Sequence, residues 1–163
     1  MAGCKNYDLA EMQAQENQPG LAGKVATHHM KLHYLAASFT QPTLVEFGVA
    51  AGRSTCVFTH AAEQTGGHLY SVDIGDFSDV VTSDAWTFIQ QSDQNKDAIL
   101  AAAPAIASGI DLLHIDSKHA RSHVEALHMG NAEEAMKDFE VALEANPWNK
   151  VEILNFTGTI KFR

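Results

Sequence analysis

The sequence predicts an α/β domain: a doubly wound, mostly parallel sheet that ends in a C-terminal antiparallel hairpin. Three observations carry this. Short strand-forming runs alternate with longer amphipathic runs along most of the 163 residues, the pattern of strands joined by crossover helices. The runs "TLVEF" and "LLHI" are apolar almost throughout, as strands covered on both faces must be. Finally, "KVEILNF" and "GTIKFR" meet around Thr157 and Gly158, a hairpin signal.

Residues 1–20 are polar and end at the turn signal "QPG", so they read as a weak helix or an arm. From 21 to 38, Leu21, Val25, His28, Leu32 and Leu35 step by four and three, one face of an amphipathic helix ended near Pro42. "TLVEFG" (43–48) is a buried strand, and "GRSTCVFTHAAEQ" (52–64) a helix stopped by Gly66 and Gly67. "HLYSVDIG" (68–75) and "AWTFIQQS" (85–92) are the second and third strands. "DQNKDAILAAA" (93–103) is a helix with Asp93 as its cap and Pro104 as its stop. "GIDLLHID" (109–116) is the fourth strand. "KHARSHVEALHM" and "AEEAMKDFEVALEA" are helices parted by Gly130 and Asn131, and the two hairpin strands close the chain. The whole reads as one domain: a helical arm (1–40), a core (43–126), a covering helix (130–147) and the hairpin (150–163).

Bulk composition narrows the function. Apolar residues are 45 % and charged residues 19 %, an ordinary globular balance. Eleven Lys and Arg against 20 Asp and Glu leave a net charge of −9. Such a surface repels nucleic acid and anionic membranes, so neither is expected as a partner. No apolar run approaches the ~20 residues that span a bilayer. The opening "MAGCKNYDLAEMQAQENQPG" lacks the basic start and apolar core of a signal peptide. Two cysteines, Cys4 and Cys56, do not make a disulfide framework. Cys56 lies in an apolar helical run, so a buried free thiol and a cytoplasmic location are the simplest expectation.

In open parallel sheets, ligands sit beyond the carboxyl ends of the strands. Glu46, Asp73 and Asp116 fall at such ends, and Asp93 follows the third strand. A dinucleotide fingerprint would place a pyrophosphate on the helix after the first strand. Here the glycines are Gly48 and Gly52, and Glu46 beside them would repel a pyrophosphate. A cationic ligand fits better. S-adenosylmethionine carries an ammonium and a sulfonium, plus a carboxylate that a helix N-terminus can bind.

"VEFGVAAGRST", "LYSVDI", "FIQQSD" and "DLLHIDSKHARSHVEA", in that order, resemble class I S-adenosylmethionine-dependent methyltransferases across residues 43–126. The last of these looks most like the branch of small-molecule O-methyltransferases and the cephalosporin hydroxylase and rhamnosyl methyltransferase relatives. The resemblance implies a Rossmann-like fold. It implies that Glu46, Gly48, Gly52, Ser54 and Thr55 form the methionine pocket, that Asp73 takes the ribose, and that Ser92 and Asp93 flank the adenine. It also gives Asp116 a metal-ligand role, with Mg²⁺, and His119 the role of catalytic base beside Asp116. The expected partner is a small-molecule acceptor, whose hydroxyl must lose a proton as it is methylated. His119 and His123 with Asp116 are an alternative two-His, one-carboxylate metal set. Elsewhere, His28, His29 and His33 read as helix-surface histidines, Arg53 as solvent-facing or aimed at an anionic acceptor, and Trp86 and Trp148 as core or strand-edge residues.

Such folds carry seven strands, the fifth glycine-rich and ending in acids. Residues 117–149 read as helix throughout, so the sheet is expected to be shortened by that fifth strand and its acids. The hairpin's last strand is then expected to pair antiparallel with 110–116, and an incomplete sheet edge favours a homo-oligomer. Two rival readings follow: a catalytically inactive remnant acting as a binding or structural protein, and a helical-repeat interaction module. The latter rests on "GNAEEAMKDFEVALEANP" (130–147), which resembles the second helix of a tetratricopeptide repeat; a single repeat cannot bury its own face.

Overall fold

Apolar strands covered on both faces need crossover helices, and the chain supplies them in order. The computed structural model of the protein describes residues 3–116, 153–155 and 158–160. The elements are strand β1 (Gly3–Cys4), helices α1 (Leu9–Gln15) and α2 (Leu21–Ala37), strand β2 (Thr43–Phe47), helix α3 (Arg53–Thr65) and strand β3 (His68–Asp73). Strands β4 (Val81–Thr82) and β5 (Trp86–Gln90) follow, then helix α4 (Lys96–Ala102), a 3₁₀ turn (Pro104–Ser108) and strand β6 (Leu112–Ile115). Strands β7 (Ile153–Asn155) and β8 (Gly158–Ile160) complete the described chain.

The main sheet has six strands in the order β5-β3-β2-β6-β7-β8. β2 runs parallel to both β3 and β6, and β3 parallel to β5. β7 joins β6 in parallel, with Leu154 opposite His114, and β8 closes antiparallel on β7. This is the expected doubly wound sheet with its hairpin; the described residues supply six of the seven strands the resemblance implies. The pairing expected for the hairpin is corrected: its first strand, not its last, lies beside β6, and in parallel. A parallel neighbour needs a crossover of a dozen or more residues, and residues 117–152 provide that length. The tetratricopeptide-like stretch, His119, His123 and Trp148 lie outside the described residues.

One core lies between the sheet and helices α2 and α3. It is built from Met30, Leu32, Leu44, Val57, Phe58 and Leu69. The opposite sheet face buries Val45, Val72, Ile89 and Leu113 against Ile99 of α4 and Ile106 of the 3₁₀ turn. The buried face of α2 is Gly23, Ala26, Met30, Leu32, His33 and Ala36; of the predicted Leu21-Val25-His28-Leu32-Leu35 stripe, Leu32 is buried and Leu35 packs partly buried against the core, while Val25 and His28 are half-buried. Leu21 is 78 % exposed. Small residues explain the difference: they let α2 approach its neighbours closely, yet weigh little in a hydrophobic pattern. A Cβ on Gly23 would sit 2.0 Å from the Gln18 carbonyl oxygen. His33 is likewise not a surface residue; it is buried, with Nδ1 3.0 Å from the Val57 carbonyl oxygen.

The arm is better ordered than its polarity suggests. β1 pairs antiparallel with β4, Gly3 opposite Thr82 and Cys4 opposite Val81. Cys4 and Cys56 are joined by a disulfide with their Cα atoms 5.8 Å apart. This corrects the expectation of a free Cys56 thiol and removes the cysteine argument for a reducing compartment. Among the described residues no helix is long and apolar enough to cross a membrane.

Candidate functional site

The turn after β2 needs unusual backbone angles, which fixes its residues. Gly48 has φ 96°, Ala50 φ 47° and Gly52 φ 81°, a region open mainly to glycine. The Gly48 N–H donates to the Val72 carbonyl at 2.9 Å, stitching the turn to the end of β3. A Cβ on Gly52 would lie 2.8 Å from Val80 Cβ, so glycine is required there for space as well as for angle. Gly52 precedes α3 and no side chain caps that helix. Its first amides therefore face the turn unsatisfied by side chains, ready for an anion.

Glu46 is fully buried. One carboxylate oxygen, Oε2, accepts from Thr55 Oγ1 at 2.7 Å and from Ser71 Oγ at 2.8 Å. Ser71 Oγ in turn accepts from Trp86 Nε1 at 3.0 Å. Register explains the assembly: Ser71, Glu46 and His114 stand side by side on β3, β2 and β6. They form a polar row beneath α3. The second oxygen, Oε1, is buried and makes no hydrogen bond of ordinary geometry, although the Ser54 hydroxyl lies close enough to favour the charged carboxylate. Burial raises the Glu46 pKa to about 7, against the lowering effect of the Ser54, Thr55 and Ser71 hydroxyls and with a further push from Asp116. A buried acid with one unsatisfied oxygen is costly unless a ligand supplies the partner.

Asp73 ends β3 and reaches back over the turn. Its Oδ2 accepts from the Val49 N–H at 2.8 Å and its Oδ1 from the Gly75 N–H at 2.9 Å. Each oxygen keeps lone-pair capacity for a ligand hydroxyl. Ser92 and Asp93 follow β5, both half-buried. The cap of α4 is Asn95, whose side chain accepts from the Ala98 N–H; Asp93 is therefore released from the capping role predicted for it. Glu46, Gly48, Gly52, Ser54, Thr55, Asp73, Ser92 and Asp93 thus all lie at the carboxyl ends of β2, β3 and β5 or in the turn and helix start beyond them.

Asp116, at the end of β6, is exposed, and its N–H donates to the Phe47 carbonyl at 2.8 Å. His119 lies outside the described residues. Among the described residues, no group of three metal-ligating side chains includes Asp116, so the Mg²⁺ assignment finds no support in the donor set. Arg53 is not simply solvent-facing: its guanidinium lies 4.6 Å from the centre of the Tyr7 ring.

A family model for a methyltransferase domain matches residues 45–145. The chain belongs to that family. The order of β5, β3, β2 and β6 and the acid-bearing turn after β2 agree with a class I methyltransferase, and membership implies S-adenosylmethionine as methyl donor. No curated protein sequence matches the chain.

Histidines are what the sequence reading of this methyltransferase undervalued. His28 and His29, from α2, lie within electrostatic reach of His114 on β6. Burial lowers the His28 pKa, while Asp116 raises it by charge, so the two lie within electrostatic reach. His114 is 7 % exposed and packs 5.3 Å from the Phe58 ring. Burial, reinforced by charge on His28 and His29, lowers its pKa to about 4, so it is neutral at physiological pH. Its Nδ1 has no hydrogen-bond partner. Strand register alone puts His114 beside Glu46, and no local motif signals it.

Proposed function

We propose that the chain binds S-adenosylmethionine beyond the carboxyl ends of β2, β3 and β5 and transfers its methyl group to a hydroxyl of a small molecule. The observation that supports this most is Glu46: a buried carboxylate whose Oε1 lacks a partner, set beside an uncapped helix start. An ammonium would satisfy the first and a carboxylate the second, the pair of charges on an amino-acid moiety. In this reading Glu46, Gly48, Gly52, Ser54 and Thr55 hold the methionine part, Asp73 accepts from the ribose hydroxyls, and Ser92 and Asp93 border the adenine. Bound there, the donor supplies a methyl group already activated by its sulfonium.

The protein's share is alignment and proton management. The strained turn and the Asp73 bridge to Val49 and Gly75 hold the donor side rigid. Asp116 and His119 are the proposed acceptor-side pair, with His119 taking the hydroxyl proton. No step is assigned to Mg²⁺, because no group of three metal-ligating side chains among the described residues includes Asp116.

Calorimetric titration with S-adenosylmethionine and S-adenosylhomocysteine tests the donor site. One site per chain in the wild type is expected, weakened by about 1–3 kcal/mol in Glu46→Gln, the scale of a lost charged hydrogen bond. Equal affinity in the two proteins removes Glu46 from the site. Methyl incorporation from labelled donor into catechol, sugar and macrolide hydroxyls then tests the acceptor class, and its absence alongside donor binding would favour the inactive remnant.

A further inference from the structure

Apart from the sheet edge, the described residues bring one cluster of metal-ligating side chains together. Cys4 Sγ, Cys56 Sγ and an imidazole nitrogen of His60 all lie within 4.8 Å of one another. Cys56 and His60 are one helical turn apart on α3 and so share a face. Cys4 is brought to them by a different element, through the β1–β4 pairing and the hydrogen bond from the Lys5 N–H to the Val80 carbonyl at 2.9 Å. The two sulfurs form a disulfide in the structure. Two elements therefore hold two sulfurs and one nitrogen together independently of any loop.

We propose that, when the disulfide is reduced, Cys4, Cys56 and His60 bind one borderline-soft divalent cation of the zinc class. Two thiolates and one imidazole are the donor set such ions favour, and three protein ligands leave the fourth tetrahedral position to water. The chemistry balances with a thiol reductant: two equivalents of reductant thiol become a disulfide, the Cys4–Cys56 bond breaks, and each sulfur gains a proton. Metal binding then expels both protons. The imidazole is ready for the role, since burial lowers the His60 pKa, against the raising charges of Glu63 and Asp8 and with the lowering charge of His33. The site is distinct from the donor site, because it sits under the arm and not at the strand ends. The ion replaces the disulfide as the clasp between the arm and α3.

The test uses the full chain, reduced and freed of reductant without oxygen, then titrated with Co²⁺ and Zn²⁺. One Co²⁺ per chain is expected, with thiolate-to-cobalt charge-transfer absorption and the d–d bands of a tetrahedral site, displaced by one Zn²⁺. The oxidised chain is expected to show no thiolate-to-cobalt band. Losing a second-shell partner alone costs about 10–100-fold in metal affinity, so His60→Ala and Cys4→Ser should each weaken binding at least that much. His60→Gln, which keeps the side chain polar, should do the same without disturbing the fold. Absence of the charge-transfer band in the reduced chain, or affinity unchanged in His60→Ala, His60→Gln and Cys4→Ser, overturns the proposal.

Discussion

The carboxyl edge of β2 and β3 and the N-terminal arm with α2 are built on opposite principles. At the sheet edge, the turn and the acids at the strand ends are set by local chain geometry: a strand end, a left-handed glycine, a helix start. In the arm and α2, position comes from partners far along the chain. Cys4 meets Cys56 across 52 residues of sequence, β1 meets β4, and His33 meets the Val57 carbonyl. The first region resists change because its backbone is strained into one shape. The second is held by a few long-range ties and should yield when one is cut.

The largest expected effect sharpens that contrast at the arm. Cys4→Ser, or reduction of the wild type in the presence of a chelator, should cost about 2–4 kcal/mol of stability, from the denatured-state entropy of a long closed loop. Urea denaturation measures it. A loss below about 1 kcal/mol would mean that the β1–β4 pairing already holds the arm. At the sheet edge, Gly52→Val should cost about 2–3 kcal/mol, combining a left-handed backbone with overpacking against Val80. Donor binding should fall with it, because the turn cannot keep its shape. A Gly52→Val protein of native stability would show that the turn is softer than its backbone angles imply.

Burial of Glu46 costs the sheet edge stability at neutral pH. Its folded pKa is raised from the 4.5 of the free group to about 7, so between those values the folded chain binds the extra proton. The stability this acid contributes is therefore fully present below about pH 4.5, falls as pH rises, and is lost above about pH 7, a swing of about 3 kcal/mol. Glu46→Gln should be more stable than wild type at pH 8, with the difference vanishing near pH 4. Denaturation midpoints of the two proteins across that range check the sign. Asp73→Ala should have a smaller effect, about 1–3 kcal/mol on donor affinity, with part of the change arising from the freed Val49 and Gly75 amides.

What could be read from the sequence divides along the same line. β2 and β6 were legible because a parallel strand buried on both faces is apolar in its own right, β3 and β5 because short strand-forming runs alternate with helical ones, and the turn after β2 because glycines mark left-handed backbone. The acids at the strand ends followed from topology. The polar row Ser71–Glu46–His114 was not legible, since it depends on the register of three strands that no single segment encodes. The buried face of α2 was misread because Gly23, Ala26 and Ala36 pack by being small, whereas Leu21 signals hydrophobicity and stays exposed. Cys4 was invisible as a partner of Cys56 because a two-residue strand carries almost no pattern. Asp93 was assigned a capping role that Asn95 fills two residues later, a shift within the usual ambiguity of a helix start.

The central claim is that the buried carboxylate at the end of β2 receives the cation of the methyl donor. Calorimetry of S-adenosylhomocysteine binding at pH 7, repeated in buffers of different ionisation enthalpy, reads the protons exchanged on binding. With a pKa of about 7, Glu46 is about half protonated at pH 7, so its ionisation should release about half a proton per site in the wild type. That contribution should be missing in Glu46→Gln. Identical proton release in the two proteins would contradict the account.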